Sequence, residues 1–444
     1  MKLPSHVDII IIGAGAAGLA AAHELSRAGK KVCVLEARPR LGGRAWTKPL
    51  ANSDAFIEYG AEFIHGTNAE SWKFIQESGL RTREILRDIR IYDNGFLPAD
   101  ESYWPQVQNT LKALFRYAEP DIPVAEALAK ARQDKISPEA LDQVARLVQG
   151  YHAGDLSKMS IMSLQKIEEE SNDEGSHRNF VLTYGYCALF DWLANSIHSY
   201  AGCQIIYPKA VVTKVQWERG KVLVSAHTKD GLLELSAHKL LTSIPLGVWK
   251  TATGQKGHIE FSPPLKHRDS LLAGLEMGNV LKVVFEVDLS AAHQFETCSV
   301  LSKDEFFSFW WFRKHQNKML AIGWTGGPSA GALSKRGDDA VIATARAALE
   351  KILGVTEKTT EHPIGAAYFH DWLKDPYARG AYSYIAAGGL DAQKELAMPI
   401  DDTLYFAGEM IPPHGEPGTI HGAMASGLAA ARAILTGFNS SFQS

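Results

Sequence analysis

The start of the chain shows an apolar pattern that predicts a strand, a tight turn, a helix and a second strand. Residues 9–12 are a continuous apolar run, which is typical of a parallel strand covered on both faces. Residues 19–28 have helical character and stop at Gly29, a residue type that often ends helices. The second strand is predicted over 31–36.

The middle of the chain is mostly helical, and strand-like alternation follows it. Over 105–200, apolar residues recur at helical spacing. The predicted helices there span 124–132, 138–148 and 187–197. Beyond residue 204, alternation of apolar and polar residues predicts strands at 210–217, 221–227, 239–243, 280–287, 306–312 and 319–323. A helix over 338–353, a strand over 404–407 and a helix over 418–435 complete the pattern.

One of these strands carries a dense aromatic patch. Alternation sends Trp310 and Phe312 to one face of the strand over 306–312 and Trp311 to the other face. Two interpretations follow from the residues: one face lines a pocket, or the aromatic side chains all pack in a core.

The length of 444 residues favours two or more domains. No repeat, low-complexity tract or Ser/Gly linker separates them, which favours a chain that weaves between two domains. We assign residues 1–75, 203–266 and 386–444 to a cofactor-binding domain. Residues 76–202 and 267–385 are assigned to a substrate-binding domain.

Charge and cysteine content argue against several classes of protein. The formal net charge of −4 shows no basic bias, so we expect no nucleic-acid partner. The four cysteines (Cys33, Cys187, Cys203 and Cys298) lack CxxC spacing, which argues against a disulfide framework and a zinc site. They favour a reducing compartment.

An apolar stretch near the start does not predict a membrane segment. Within 7–25, Asp8 and three glycines interrupt the apolar run, and no strongly basic signal region precedes it. The tail over 436–444 is short and polar, so no membrane anchor is expected there. We therefore expect a cytoplasmic protein without a membrane partner. A homodimer is compatible with the sequence, which leaves the oligomeric state open.

A glycine-rich turn joins the first predicted strand to the first predicted helix. Gly13, Gly15 and Gly18 follow the Gly-x-Gly-x-x-Gly spacing, with Ala16 and Ala17 between them. Such glycines let the backbone approach a pyrophosphate, and the N-terminus of the helix adds unpaired N–H groups. The turn predicts a dinucleotide-binding site.

An acidic residue in the next strand supports that site. Glu36 ends the second predicted strand, 18 residues after Gly18. A carboxylate at this place accepts hydrogen bonds from the ribose hydroxyls of an adenosine and disfavours a 2′-phosphate. The choice is therefore between NAD and FAD, and NADP is disfavoured.

The residues after this carboxylate distinguish between NAD and FAD. Arg38, Arg40 and Arg44 place cations beside the phosphates, and Gly42 and Gly43 let the chain pass close to them. The string Glu-Ala-Arg-x-Arg-x-Gly-Gly-Arg resembles the flavin proteins of the amine oxidase and desaturase superfamily. The resemblance predicts FAD as the cofactor.

The resemblance continues along the chain. The matching segments are 58–66, 243–250, 261–265 and 404–427. It implies that Glu409 hydrogen-bonds the ribityl chain of FAD, and that the helix after Gly418 points its N-terminus at the flavin ring. The cofactor-binding residues predicted in this way are Gly13, Gly15, Ala16, Ala17, Gly18, Glu36, Ala37, Arg38, Gly42, Gly43, Arg44, Gly60, Ala61, Glu62, Phe63, Val212, Trp372, Gly408, Glu409, Gly418, Thr419 and Ile420.

The resemblance also implies a fold and an activity. We expect a combined α/β and α+β architecture, in which a Rossmann-like FAD-binding domain is interwoven with a substrate domain of a mixed sheet flanked by helices. The implied activity is FAD-dependent oxidative deamination of a polyamine, diamine or primary amine to an imine and then an aldehyde. Oxygen would be reduced to hydrogen peroxide, so the partners would be a small amine and oxygen.

One lysine lies inside a predicted strand. Lys282 belongs to the otherwise apolar run 280–287, where burying an ammonium is costly unless it has a partner. In amine oxidases the lysine at this position holds a water against the flavin N5. The alternative interpretation is an edge lysine whose ammonium reaches solvent.

The segment 371–384 resembles the part of amine oxidases that faces the flavin. Tyr382 falls where the family places one wall of an aromatic cage, and a core tyrosine is the alternative. The partner wall falls at Thr419, where many members carry an aromatic residue, so this chain departs from the pattern. Ala381 stands where mitochondrial monoamine oxidases attach flavin to a cysteine, which predicts noncovalent FAD.

Two further polar residues are candidates for the substrate site. Histidine titrates near neutral pH, so His65 either binds substrate or relays protons, or it simply lies beside the flavin. Glu62 either accepts the second ammonium of a di- or polyamine or has a structural role. The catalytic candidates are therefore Lys282, Tyr382, His65 and Thr419. No metal site is expected.

An L-amino acid oxidase of the same fold is the alternative function. It needs a cation for the substrate carboxylate, and Arg313, Arg146 and Arg178 are the candidates. Lys282 and Tyr382 disfavour a desaturase or a porphyrinogen oxidase. A histone demethylase is disfavoured because the chain lacks room for the extra helical insertions of that branch.

Overall fold

The computed structural model describes most of the chain. The described residues are 6–50, 55–67, 70–85, 88–96, 102–170, 175, 178–200, 205–296, 298–315, 318–356, 362–414 and 417–437. Cys203 and the part of the predicted polar tail after 437 lie outside these ranges. Within them, no helix is both long and apolar enough to cross a membrane.

An eight-stranded sheet brings the two ends of the chain together. The strand His6–Ile12 lies between Val32–Glu36 and Gly231–Thr242, and it runs parallel to both. Leu404–Phe406 pairs in parallel with the end of Gly231–Thr242. The predicted apolar run 9–12 is buried throughout, which confirms a strand covered on both faces. The other strands of this sheet are Ile205–Pro208, Val211–Glu218, Lys221–Thr228 and Glu260–Ser262.

Four helices pack together against one face of this sheet. They are Ala16–Arg27, Ser71–Ser78, Tyr186–Ser199 and Ile420–Thr436. The first and last of them approach so closely that a Cβ on Gly427 would lie 2.1 Å from the carbonyl oxygen of Ala17. Since Tyr186–Ser199 shares this core, we propose that the chain re-enters the cofactor domain before residue 203.

Two predicted strands are misplaced. Gly231–Thr242 is much longer than the predicted 239–243, because its first half pairs antiparallel with Lys221–Thr228 and only its second half pairs with His6–Ile12. The predicted strand 306–312 lies instead at Phe309–His315. The Asp304 carboxylate accepts hydrogen bonds from the backbone N–H groups of residues 306 and 307, so a turn replaces the start of the predicted strand.

A mixed six-stranded sheet forms a second layer. Its strands, in spatial order, are Ile364–Phe369, Val280–Asp288, Lys318–Gly326, Phe309–His315, Cys298–Ser302 and Asp88–Tyr92. All neighbours are antiparallel except the last pair. Trp310 and Phe312 pack in one core with helix Asp338–Leu353, and Trp311 lies in a different cluster. The predicted alternation is therefore confirmed.

A group of helices with its own apolar core covers the end of this second sheet. They are Tyr103–Leu114, Val124–Gln133, Pro138–Gly150 and Ile161–Glu170. The small sheets pair Leu275–Gly278 with Tyr382–Ile385, Thr47–Pro49 with Phe56–Glu58, and Asn179–Leu182 with both Ile64–His65 and Thr82–Glu84. The remaining α-helices are Leu246–Trp249, Lys266–Leu271, Leu289–Ala292, Gly327–Ser334 and Leu390–Leu396, and the 3₁₀ turns are Phe115–Tyr117, Leu272–Gly274 and His293–Phe295.

Candidate active site

One cavity of about 2060 Å³ joins the glycine-rich turn to the predicted catalytic residues. This volume exceeds that of a typical pocket for one small ligand, so it has room for a dinucleotide together with a substrate. Lys282, Tyr382, His65 and Thr419 all line it. All but one of the predicted cofactor residues also line it. Those that do are Gly13, Gly15, Ala16, Ala17, Glu36, Ala37, Arg38, Gly42, Gly43, Arg44, Gly60, Ala61, Glu62, Phe63, Val212, Trp372, Gly408, Glu409, Gly418, Thr419 and Ile420.

The exception is Gly18, which packs behind the turn and does not line the cavity. A Cβ on Gly18 would lie 1.9 Å from the carbonyl oxygen of Gly13, so only glycine lets the helix Ala16–Arg27 pack this closely on the turn. Its predicted contact with a pyrophosphate stays a prediction. Gly18 shapes the turn that Gly13 and Gly15 present to the cavity.

The Glu36 carboxylate is fixed at the end of its strand. One oxygen accepts a hydrogen bond from the backbone N–H of Ala14 and the other from that of Arg38, each at 2.8 Å. Glu36 is buried, with 4% of its surface exposed, and it borders the cavity. The carboxylate is thus held in the place that the sequence predicts for recognition of a ribose.

The three arginines that follow Glu36 (Arg38, Arg40 and Arg44) make contacts with other segments of the protein. Arg38 pairs with Asp375 at 2.7 Å, and Arg44 pairs with Glu409 at 2.8 Å. Arg40 donates to the carbonyl of Gly43 and does not line the cavity. Burial, with a contribution from Arg38, lowers the pKa of Arg40 to about 10. Arg38 and Arg44 line the cavity and are already paired, and the placement of all three cations beside phosphates stays a prediction.

The C-terminal motif, residues 404–427, connects two parts of the cavity wall through Glu409. Besides its pair with Arg44, the Glu409 carboxylate accepts hydrogen bonds from the N–H and the hydroxyl of Ser383, at 3.1 and 2.7 Å. Thr419 caps the helix Ile420–Thr436, since its hydroxyl accepts from the N–H of Gly422 at 3.0 Å. The N-terminus of this helix borders the cavity, and its orientation toward a flavin ring stays a prediction.

Lys282 is buried and paired at the cavity wall. Its Nζ lies 2.7 Å from a carboxylate oxygen of Glu62 and 3.1 Å from the carbonyl oxygen of Gly60. Its strand, Val280–Asp288, has a partner strand on each side. The alternative of an edge lysine in contact with solvent is therefore wrong, because 3% of the side chain is exposed.

Tyr382 and His65 line the cavity, and both lie beside Tyr151. The Tyr382 hydroxyl donates to the carbonyl of Tyr151 at 2.5 Å, and its ring packs closely over Gly418. The Nδ1 of His65 lies 2.6 Å from the side-chain oxygen of Asn179. Both side chains are therefore held in place by hydrogen bonds.

The cavity wall also contains aromatic residues that no predicted site included: Tyr151, His152, Trp324 and His421. His421 belongs to the C-terminal motif, so the sequence held a signal for it. Trp324 lies directly opposite Lys282 on the neighbouring strand, and only the strand register shows this. Tyr151 follows the helix Pro138–Gly150 and has no local signal.

The three arginines considered for a substrate carboxylate differ in their placement. Arg313 donates to the carbonyl of Phe56, lies 3.4 Å from Glu62 and does not line the cavity. Arg178 pairs with Glu84 at 2.6 Å, outside the cavity. Of these three, Arg146 is the residue that lines the cavity.

A second buried carboxyl, Glu58, lies close to Lys282. Its oxygens accept hydrogen bonds from the Thr47 hydroxyl and from the N–H of Tyr186, where the helix Tyr186–Ser199 begins. Burial raises the pKa of Glu58 to about 7, and the Lys282 charge opposes this shift. Glu58 is therefore a buried group that titrates near neutral pH.

We expect Glu58 to make the stability of the chain depend on pH. Between its ordinary pKa of 4.5 and about 7, the folded chain holds the proton more tightly than the unfolded chain. The free energy of unfolding should therefore fall by roughly 2–3 kcal/mol as pH rises through this window, and then level off. Urea unfolding of wild type and Glu58→Gln between pH 4.5 and 8 measures this.

The matched control is Glu84→Gln. Glu84 is a surface carboxylate whose pKa is lowered by its hydrogen bond to Arg178, so it is already charged across the window. This variant should keep the wild-type fall in stability, whereas Glu58→Gln should lose it. An unchanged fall in Glu58→Gln would show that Glu58 is not the group responsible.

Comparison with known proteins identifies the family. A family model described as flavin containing amine oxidoreductase matches residues 16–435. This chain belongs to the flavin-containing amine oxidoreductase family. The membership that the motifs predicted is confirmed, and so is FAD as the cofactor. Among the described residues, no group of three or more His, Cys, Asp or Glu residues is placed to hold a metal ion.

Two curated relatives of this flavin-containing chain come from Oryza sativa. Lysine-specific histone demethylase 1 homolog 2 is 27% identical over 96% of this chain and 57% of that protein. Polyamine oxidase 4 is 26% identical over 96% of this chain and 88% of that protein. The chain thus spans little more than half the length of the histone demethylase it matches.

A solved structure confirms the fold of this chain. A putrescine oxidase variant with redesigned cofactor binding superimposes with a TM-score of 0.80, over 97% of this chain and 99% of that chain, at 20% identity. The predicted architecture of a Rossmann-like domain with a mixed-sheet substrate domain is therefore confirmed.

Proposed function

We propose that this chain is an FAD-dependent amine oxidase that acts on a polyamine, diamine or primary amine, with oxygen as the electron acceptor. The observation that carries the proposal is the single cavity, which joins the dinucleotide turn to Lys282 and Tyr382. Its family and the polyamine oxidase among its relatives support the same chemistry. The products would be an imine, which hydrolyses to an aldehyde, and hydrogen peroxide.

The residues along the cavity fit FAD. A Cβ on Gly15 would meet nothing within 4 Å, so there is open space where the helix Ala16–Arg27 begins. A helix N-terminus with open space in front of it suits a pyrophosphate. The Glu36 carboxylate would accept hydrogen bonds from the ribose hydroxyls. The N-terminus of the helix Ile420–Thr436 would face the flavin.

The protein side chains would orient the amine and exclude water. When bound, FAD accepts a hydride equivalent from the α-carbon of the amine and passes its electrons to oxygen. The Tyr382 ring would hold the amine beside the reacting centre. Lys282 would keep a water or a proton at its Nζ, and the rings of Trp311 and Trp324 would shield this end of the cavity.

A comparison of paired substrates tests the proposal against an L-amino acid oxidase. The alternative depends on Arg146, which lines the cavity. Peroxide release is measured with an amine and with its α-carboxylated analogue, in wild type and Arg146→Gln. We expect turnover of the amine and no dependence on Arg146. Strict preference for the amino acid, lost in Arg146→Gln, would establish the alternative.

We also propose that FAD is held noncovalently. Ala381 precedes Tyr382 and offers no thiol, and none of the three described cysteines (Cys33, Cys187 and Cys298) lines the cavity. Denaturing the holoprotein and filtering it should therefore release all of the flavin as unmodified FAD. Flavin that stays with the precipitated chain would contradict this proposal.

The cellular location and assembly remain proposals of the same kind. We propose a cytoplasmic enzyme, because the four cysteines of the sequence lack the spacing of a disulfide framework. A homodimer stays a prediction, and light scattering of the purified holoprotein tests it.

A further inference from the structure

Lys282 shares the buried carboxylate of Glu62 with a second cation, Arg313. Glu62 faces Lys282 with one carboxylate oxygen, at 2.7 Å, and faces Arg313 with the other, at 3.4 Å. The side chains of Lys282, Glu62 and Arg313 are 3, 5 and 13% exposed. Charges with so little access to water need close partners, and removal of one leaves the next uncompensated.

Arg313 is anchored on the side away from the cavity. It lies on the strand Phe309–His315, donates to the carbonyl of Phe56, and stacks over the Phe56 ring at 4.5 Å. Lys282 and Glu62 line the cavity, whereas Arg313 does not. The contact with Glu62 therefore links Arg313 to the cavity.

We propose that Glu62 and Arg313 are positioning residues, which hold the Lys282 ammonium at the cavity wall. The inference rests on the proposed function, because it gives this pair a purpose in the reaction that Lys282 serves. It also decides between the two roles that the sequence left open for Glu62. A carboxylate that already faces two cations is committed to them, so Glu62 does not serve as the anchor for a second substrate ammonium.

The shared carboxylate makes opposite predictions for its two cations. Loss of the Glu62 charge removes the attraction that favours a charged Lys282. Loss of Arg313 removes a like charge and leaves the whole carboxylate to Lys282. Glu58 also interacts with the charges of Lys282 and Glu62, and it stays in place in both variants. A purely structural role for the two residues would not produce shifts of opposite sign.

An NMR titration of the holoprotein measures these shifts directly. The chain is labelled with ¹³Cε-lysine, and the Lys282 signal is assigned from its absence in Lys282→Arg. We expect the midpoint pH of this signal to fall in Glu62→Gln and to rise in Arg313→Gln, because the first variant removes an opposite charge and the second removes a like charge. Lys314→Gln is the matched control, since this neighbour on the strand is exposed and pairs with Glu296, and it should change nothing. Shifts of the same sign, or no shift in folded variants, would overturn the proposal.

A second readout separates this inference from the proposed function. Holoprotein is reduced with dithionite and mixed with oxygen, so that no amine is needed. Flavin reoxidation should slow about tenfold in Glu62→Gln and in Arg313→Gln, and Arg313→Lys should recover most of the rate. Equal loss in Arg313→Lys and Arg313→Gln would argue against positioning through charge. If no amine reduces the flavin while the NMR shifts have opposite signs, the proposed function fails and the positioning role stands.

Discussion

Replacing Lys282 with methionine is expected to leave FAD bound and to slow one or both half-reactions of the flavin by roughly 100-fold. Methionine is nearly as long as lysine and is apolar, so it can fill the same buried space. What it removes is the ammonium that lies 2.7 Å from Glu62 at the cavity wall. The loss should therefore appear in the rate of flavin chemistry, with the FAD content unchanged.

Stopped-flow measurements resolve the effect of this change. Flavin reduction by an amine is followed without oxygen, and reoxidation is followed separately. Lys314→Met is the matched control, because Lys314 lies in the same sheet, is exposed and pairs with Glu296. Wild-type rates in both half-reactions of Lys282→Met would refute the role given to Lys282.

The second large effect is expected at the glycine-rich turn, where Gly18→Ala should damage the fold itself. The new Cβ would lie 1.9 Å from the carbonyl oxygen of Gly13, a backbone atom that cannot move without distorting the turn. We expect a loss of roughly 1–3 kcal/mol in the free energy of unfolding, together with weaker binding of FAD. Urea unfolding of the FAD-free chain and FAD titration measure the two effects.

Gly15→Ala is the matched variant and should separate folding from cofactor binding. A Cβ on Gly15 meets nothing within 4 Å, and the backbone there has a φ of −82°, which alanine adopts readily. The FAD-free chain should therefore keep its stability. The methyl group would enter the space proposed for the pyrophosphate, so the Kd for FAD should rise on the order of tenfold. Wild-type affinity in Gly15→Ala would contradict the placement of the cofactor.

The sequence predicted the parts of the site that depend on local pattern. The apolar run 9–12, the glycine spacing after it and Glu36 follow one another along a strand, a turn and the next strand, so their geometry is set by short stretches of chain. The lysine at 282 was also predictable, because a charged residue in an apolar strand needs a specific partner. That partner, Glu62, comes from a distant segment, and local pattern could not show the pairing.

The features that the sequence did not predict depend on contacts between distant segments. Arg40 lies in the arginine-rich string 36–44, but its side chain donates a hydrogen bond to the carbonyl of Gly43. From the sequence, Arg313 is a candidate to bind a substrate carboxylate. In the structure it contacts Glu62 and Phe56 instead. Tyr151 lines the cavity because the helix Pro138–Gly150 ends just before it. Its carbonyl accepts a hydrogen bond from the hydroxyl of Tyr382. Tertiary packing decides each of these.

We propose that the cavity binds FAD and an amine together, so that electrons pass from the amine to the flavin. The most direct test is the anaerobic addition of monoamines, diamines and polyamines to the holoprotein, with the visible absorption of the flavin as the signal. We predict that at least one amine bleaches the flavin, and that admitting oxygen restores the absorption and yields an equimolar amount of hydrogen peroxide. A flavin that dithionite reduces but that none of these amines bleaches would contradict the account.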